Sequence, residues 1–61
     1  MMYDYKLKFS YRKVENGEQY IERLLIRSKE KDPINAGEIE MLRYLSKHGY
    51  YSGKVIFCER Y

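Results

Sequence analysis

From Tyr3 onward the chain alternates side-chain character without a break. Tyr3, Tyr5, Leu7, Phe9 and Tyr11 occupy the odd positions, and Asp4, Lys6, Lys8, Ser10 and Arg12 the even ones. A period of two with one apolar side belongs to a strand with one face buried. Glu15-Asn16-Gly17-Glu18 follows, and Asn-Gly is the strongest short-range hairpin signal because a type I′ turn needs positive φ at both central residues. The run Gln19 to Ser28 then returns beside the first, so residues 3–28 are expected to form a hairpin. A two-residue loop at Asn16-Gly17 sets Phe9 opposite Leu24 and Leu7 opposite Ile26 on the inner face. It sets Lys6 opposite Arg27, Lys8 opposite Leu25, Ser10 opposite Arg23 and Arg12 opposite Ile21 on the outer one.

Residues 29–34 read as a polar linker. Asp32-Pro33 offers one helix start, with proline at its first position, and Asn35 with Glu38 offers another of the reciprocal capping type. Ile39, Leu42 and Leu45 recur at helical spacing, with Met41, Tyr44 and His48 widening the stripe, and Gly49 suits the left-handed stop. A helix over 35–48 across the odd face of the hairpin is the expectation. Residues 54–60 form a third strand that can be phased two ways. Val55 and Phe57 face inward, or Ile56 and Cys58 do while Phe57 and Tyr61 join the open face. The first phase is preferred, because Phe buries more apolar area than Cys. The helical return sets this strand beside the first and antiparallel to it. The fold class is therefore α+β: a single small ββαβ domain over 1–61, with a three-stranded sheet in order 2-1-3 and one helix on one face.

Sixty-one residues with 44% apolar and 34% charged side chains describe a folded chain, neither disordered nor membrane-embedded. The longest aliphatic run, Leu24-Leu25-Ile26, is too short to span a bilayer, and no signal peptide is read at the N-terminus. A cytoplasmic location is expected. A single cysteine excludes an internal disulfide, and one histidine beside it cannot build a structural zinc site, so neither metal nor cofactor is expected. A domain of this size buries only roughly 60% of its unfolded surface, which leaves self-association as a remaining support and keeps a homodimer open.

Catalytic chemistry has little to build on. His48 and Cys58 are the only candidates for a base and nucleophile, and Cys58 lies in a strand with nothing to activate it. The chain is expected not to be an enzyme. Charge, in contrast, is concentrated: residues 1–31 hold eight cations and five acids, and residues 32–61 hold four of each. Lys6, Lys8, Arg12, Arg23 and Arg27 share the outer hairpin face with Ile21 and Leu25 among them, and these seven are the candidate binding residues. The plainest account is a solvated strand face whose cationic stems cover two aliphatics. The functional account is apolar anchors inside a charged rim, suited to an acidic or phosphate-binding surface.

In size and in its Tyr/Lys/Ile-rich composition the chain resembles the small accessory proteins of bacteriophages and mobile elements. That resemblance implies a factor that binds and inhibits a host nucleic-acid-handling or defence machine, in the manner of anti-CRISPR proteins or nuclease and toxin inhibitors. The expected partner is a host protein or nucleoprotein complex. Direct nucleic-acid binding through the same face is the alternative, and no membrane partner is expected.

Overall fold

The computed structural model describes residues 1–61. Strands β1 (Tyr3–Arg12), β2 (Gln19–Ser28) and β3 (Tyr51–Arg60) form one sheet in the order β2-β1-β3, and helix α1 (Pro33–His48) lies between β2 and β3 in the chain. Both pairings are antiparallel, as the alternation and the helical return predict. The inner side of the central strand supplies Tyr5, Leu7, Phe9 and Tyr11, and the helix supplies Ala36, Met41 and Leu45; these are the buried apolar residues.

The hairpin closes more widely than a two-residue turn. Phe9 pairs with Glu22, Leu7 with Leu24, Tyr5 with Ile26 and Tyr11 with Tyr20, two residues displaced from the expected register. Only Gly17 adopts positive φ there (68°), and Asn16 does not, whereas a type I′ turn needs both. The Gly17 amide instead donates to the Lys13 carbonyl at 2.8 Å, and the Asn16 side chain accepts from the Glu18 amide at 3.0 Å. A shift of two residues preserves side-chain parity, so each side chain keeps its expected face while its cross-strand partner changes.

The helix begins two residues earlier than expected. Asp32 is the N-cap, accepting from the Ile34 amide at 3.0 Å, and Pro33 opens the first turn; the Asn35–Glu38 alternative is not used. Gly49 (φ 72°) ends it in the left-handed conformation. Its buried line is Ala36, Gly37, Met41 and Leu45, while Ile39 and Leu42 are exposed, which corrects the expected Ile39–Leu42–Leu45 stripe. The reason is proximity. A side-chain β-carbon on Gly37 would lie 3.0 Å from Cys58 Cβ and 3.2 Å from Leu7 Cδ1, and one on Gly53 would collide with Leu45 and Met41. The helix thus sits down on β1 and β3 through two glycines, and the bulkier aliphatics turn outward.

β3 is longer than expected, beginning at Tyr51, and matches neither phase proposed for it. Phe9 pairs with Val55 but Lys8 pairs with Phe57, so Ile56 is the extra residue of a β-bulge. Val55 and Cys58 both pack against the core, and Phe57 emerges on the opposite face. A second irregularity lies between the Ser10–Lys54 and Arg12–Tyr51 pairs, where Ser52 takes φ 55°.

Aromatic rings close the turn end. Tyr11 stacks on Tyr50 at 4.7 Å, and Phe9 meets Tyr44 edge-on at 5.3 Å. The Tyr44 hydroxyl donates to Glu22 at 3.0 Å, tying α1 to β2, and the Tyr5 hydroxyl donates to the Glu30 and Lys31 carbonyls, pinning the linker.

Two outcomes follow from this packing. Gly53→Ala is expected to cost about 1–3 kcal/mol in denaturant unfolding, the range for overpacking a fitted site. Burial holds the phenols of Tyr5 and Tyr44 above the usual 10.0, with the Glu22 carboxylate raising Tyr44 further. Groups whose folded pKa is raised stabilise fully below the unfolded value and lose that contribution as pH climbs towards the folded one. Their share of thermal stability should therefore be intact below pH 10 and fall above it, and Tyr44→Phe should flatten that fall.

Candidate interaction surface

The sheet face opposite α1 carries no covering element. Read across β2, β1 and β3, its rows are Leu25–Lys6–Glu59, Arg23–Lys8–Phe57 and Ile21–Ser10–Lys54, with Gln19–Arg12–Tyr51 at one end and Arg27–Asp4 at the other. All seven candidate residues, Lys6, Lys8, Arg12, Ile21, Arg23, Leu25 and Arg27, lie on it. Leu25 is 70% exposed, Ile21 54% and Phe57 37%. Ser10 is nonetheless buried, at the centre of a row flanked by longer side chains.

The corrected register changes the electrostatics. Arg27 stands opposite Asp4, not Lys6, and its Nε donates to the Asp4 carboxylate at 2.8 Å. That bond, reinforced by the charges of Arg27 and Arg60, holds the Asp4 carboxyl below its usual 3.8. Arg12 is drawn to the turn, donating to the Gly17 carbonyl at 2.6 Å. Lys6 Nζ lies 5.4 Å from the centre of the Tyr61 ring. Lys8, Arg23 and Lys54 have no carboxylate partner, and they are interleaved with Ile21, Leu25 and Phe57 across the three strands. Lys8 and Arg23 are directly opposed, a like-charge arrangement that costs stability unless an anion or a hydrated gap separates them.

Two hollows flank Leu25. One, of about 210 Å³, is lined by Lys6, Leu7, Arg23, Leu24, Leu25 and Phe57. The other, of about 310 Å³, is lined by Asp4, Tyr5, Leu25, Ile26, Arg27 and Tyr61. Each combines an aromatic ring, an aliphatic wall and an arginine, a combination suited to an inserted side chain and open to solvent.

Phe57, Lys54 and Tyr61 are members of this face outside the seven candidate residues, although the less favoured phase of the third strand places Phe57 and Tyr61 there. No single phase puts Val55 inside and Phe57 outside, because a bulge reverses parity in mid-strand. His48 and Cys58, the two candidates for a base and a nucleophile, stand apart in the fold. Gly37 touches Cys58, and His48 lies eleven residues further along the helix, about 16 Å away at 1.5 Å per residue. Burial raises the Cys58 thiol pKa, with a bond from the Gly37 backbone opposing it, and the thiol is correspondingly poor as a nucleophile at neutral pH. No group of three His, Cys, Asp or Glu side chains is placed to hold a metal ion, and no helix is long and apolar enough to cross a membrane.

No family model matches the chain, and neither a curated protein nor a solved structure does.

The bulge can be tested by size against effect. Val55→Ala removes core contacts and should destabilise by about 1.5 kcal/mol or more, at roughly 0.8 kcal/mol per buried carbon. Phe57→Ala removes a larger side chain yet should cost less, because that ring stands on the open face. Chemical unfolding of the two variants compares them directly.

Proposed function

We propose that this chain is a non-catalytic binding protein whose open sheet face docks on an acidic surface of a protein or nucleoprotein partner. The observation that carries the reading is the set Ile21, Leu25 and Phe57, exposed on the two outer strands of the face and interleaved with Lys6 and Lys8 on its central strand and with Arg12, Arg23 and Lys54. Aliphatic side chains in water gain from a partner with apolar surface, and a phosphate backbone offers none. The cations steer approach to an acidic target and set its orientation more than they add affinity. In keeping with the resemblance to phage and mobile-element accessory proteins, the proposed target is a host nucleic-acid-handling or defence machine that the chain inhibits in the cytoplasm.

One observation favours a second reading. Phe57 stands opposite Lys8 on a flat sheet, and an exposed ring beside cations is the arrangement that stacks unpaired bases. The two readings differ in their response to salt. Fluorescence anisotropy with labelled single-stranded DNA, duplex DNA and RNA should show no retention near physiological salt if the partner is a protein. Binding that falls steeply with salt and is lost in Lys8→Glu/Lys54→Glu transfers the function to nucleic acid. The same double variant keeps the fold, since a carboxylate at position 8 faces Arg23, and it should lose capture of a partner from host lysate. A captured partner that the variant retains equally well removes the open face from the proposal.

A further inference from the structure

We infer that the free edge of β2 is a docking site for a second copy of this chain, paired antiparallel about Leu24. The sheet has two edges of different character. β3 is interrupted by the Ile56 bulge and by the irregularity at Ser52, and such kinks blunt an edge against further pairing. β2 runs ten residues with no bulge or proline against β1. Its inner side is also incompletely roofed, because α1 lies over β3 and β1. Leu24 and Ile26 are consequently only half-buried, and Leu24 lines a hollow of about 300 Å³ shared with Glu40, Arg43, Tyr44 and Lys47.

The orientation of the edge is set by two hydrogen bonds. The Tyr61 amide donates to the Asp4 carbonyl, so the even residues of β1 turn their backbone groups toward β3 and the odd ones toward β2. The residues facing outward from β2 are therefore Ile21, Arg23, Leu25 and Arg27. In agreement, the Arg23 amide donates to its neighbour's carboxylate, Glu22 Oε1, at 2.9 Å. The rest of that row has no neighbouring strand.

Self-pairing of adjacent antiparallel strands requires a two-fold axis normal to the sheet, and opposed residues must then share a face. Registers centred on Glu22 or Arg23 set like charges in contact, and one centred on Leu25 sets Arg23 against Arg27 of the second copy. Centring on Leu24 avoids every such clash over Tyr20 to Ser28. It pairs Leu24 with itself, Glu22 with Ile26, Arg23 with Leu25 and Ile21 with Arg27, so that each arginine stem lies along an aliphatic. Arg23 and Leu25 are both outward-facing and exchange their amide bonds once the second copy's carbonyl displaces the Glu22 carboxylate from the Arg23 amide, which leaves Leu24 in the closer, non-hydrogen-bonded pair. Stacking the open faces is the competing arrangement, and it would bury Lys6, Lys8 and Arg23 against their own copies. Edge pairing keeps both open faces on one side of a six-stranded sheet.

Sedimentation equilibrium over a concentration series should give twice the 7.5 kDa chain mass. Ile26→Glu opposes Glu22 of the second copy and should weaken the dimer by about a hundredfold, since like charges across an interface cost several kcal/mol. Ile26→Lys, equally polar, meets the same Glu22 as an ion pair and should retain it. A second measurement uses exposed positions, where folding is not at stake. In a Cys58→Ser background, Arg23→Cys and Leu25→Cys chains, mixed and oxidised, should join, and each alone should not. A wild type that stays monomeric, a dimer indifferent to Ile26→Glu, equal loss in Ile26→Lys, or no mixed disulfide overturns the proposal. Neither Lys8 nor Lys54 lies at this edge, so loss of partner capture in Lys8→Glu/Lys54→Glu with the dimer intact bears on the function alone.

Discussion

The seating of α1 on β1 and β3 through Gly37 and Gly53 governs the rest of the molecule. Two absent side chains let the helix backbone approach the sheet until Gly37 touches Leu7 and Cys58, and Gly53 lies under Met41 and Leu45. Interiors are packed to the density of organic crystals, so this fit leaves room for one small core and no slack within it. The helix is drawn towards the β3 side, and β2 projects as a wing whose inner apolar side chains are only half covered. The Tyr44–Glu22 hydrogen bond is the polar tie that reaches across to that wing.

The same seating bears on the shape of β3. A strand that must present Gly53, Val55 and Cys58 to the helix cannot do so with a strict period of two, since 55 and 58 differ in parity. The Ile56 bulge resolves the conflict by inserting one residue between the Val55 and Phe57 pairs. Its by-product is functional in character, because it delivers Phe57 to the open face beside Lys8. A core-packing demand on one side of the sheet thereby sets the chemistry of the other.

Charge on the open face is likewise an outcome of register. Displacement of the hairpin by two residues pairs Arg27 with Asp4 and removes the Lys6–Arg27 repulsion, at the cost of opposing Lys8 to Arg23. The strongest unbalanced potential thus lies at the middle of the sheet beside Phe57. The Arg27–Asp4 pair itself is exposed, and an exposed pair adds little to stability while fixing the local arrangement.

Much of this was legible in the residues read alone. Alternation from Tyr3 to Arg12 specifies a strand and both its faces, Gly49 specifies a helix end, and the order of elements specifies the 2-1-3 sheet, because these follow from local periodicity and short-range sterics. The face of every candidate residue on the hairpin was legible too, since parity survives a register error of two. What only the tertiary structure decided was pairing and phase: the width of the turn, the partner of Arg27, the outward phase of Ile39 and Leu42, and the reversal at Ile56. Each depends on how closely the helix meets the sheet or on which residue takes positive φ. Those are contests between contacts distant in the chain, and no local pattern carries them.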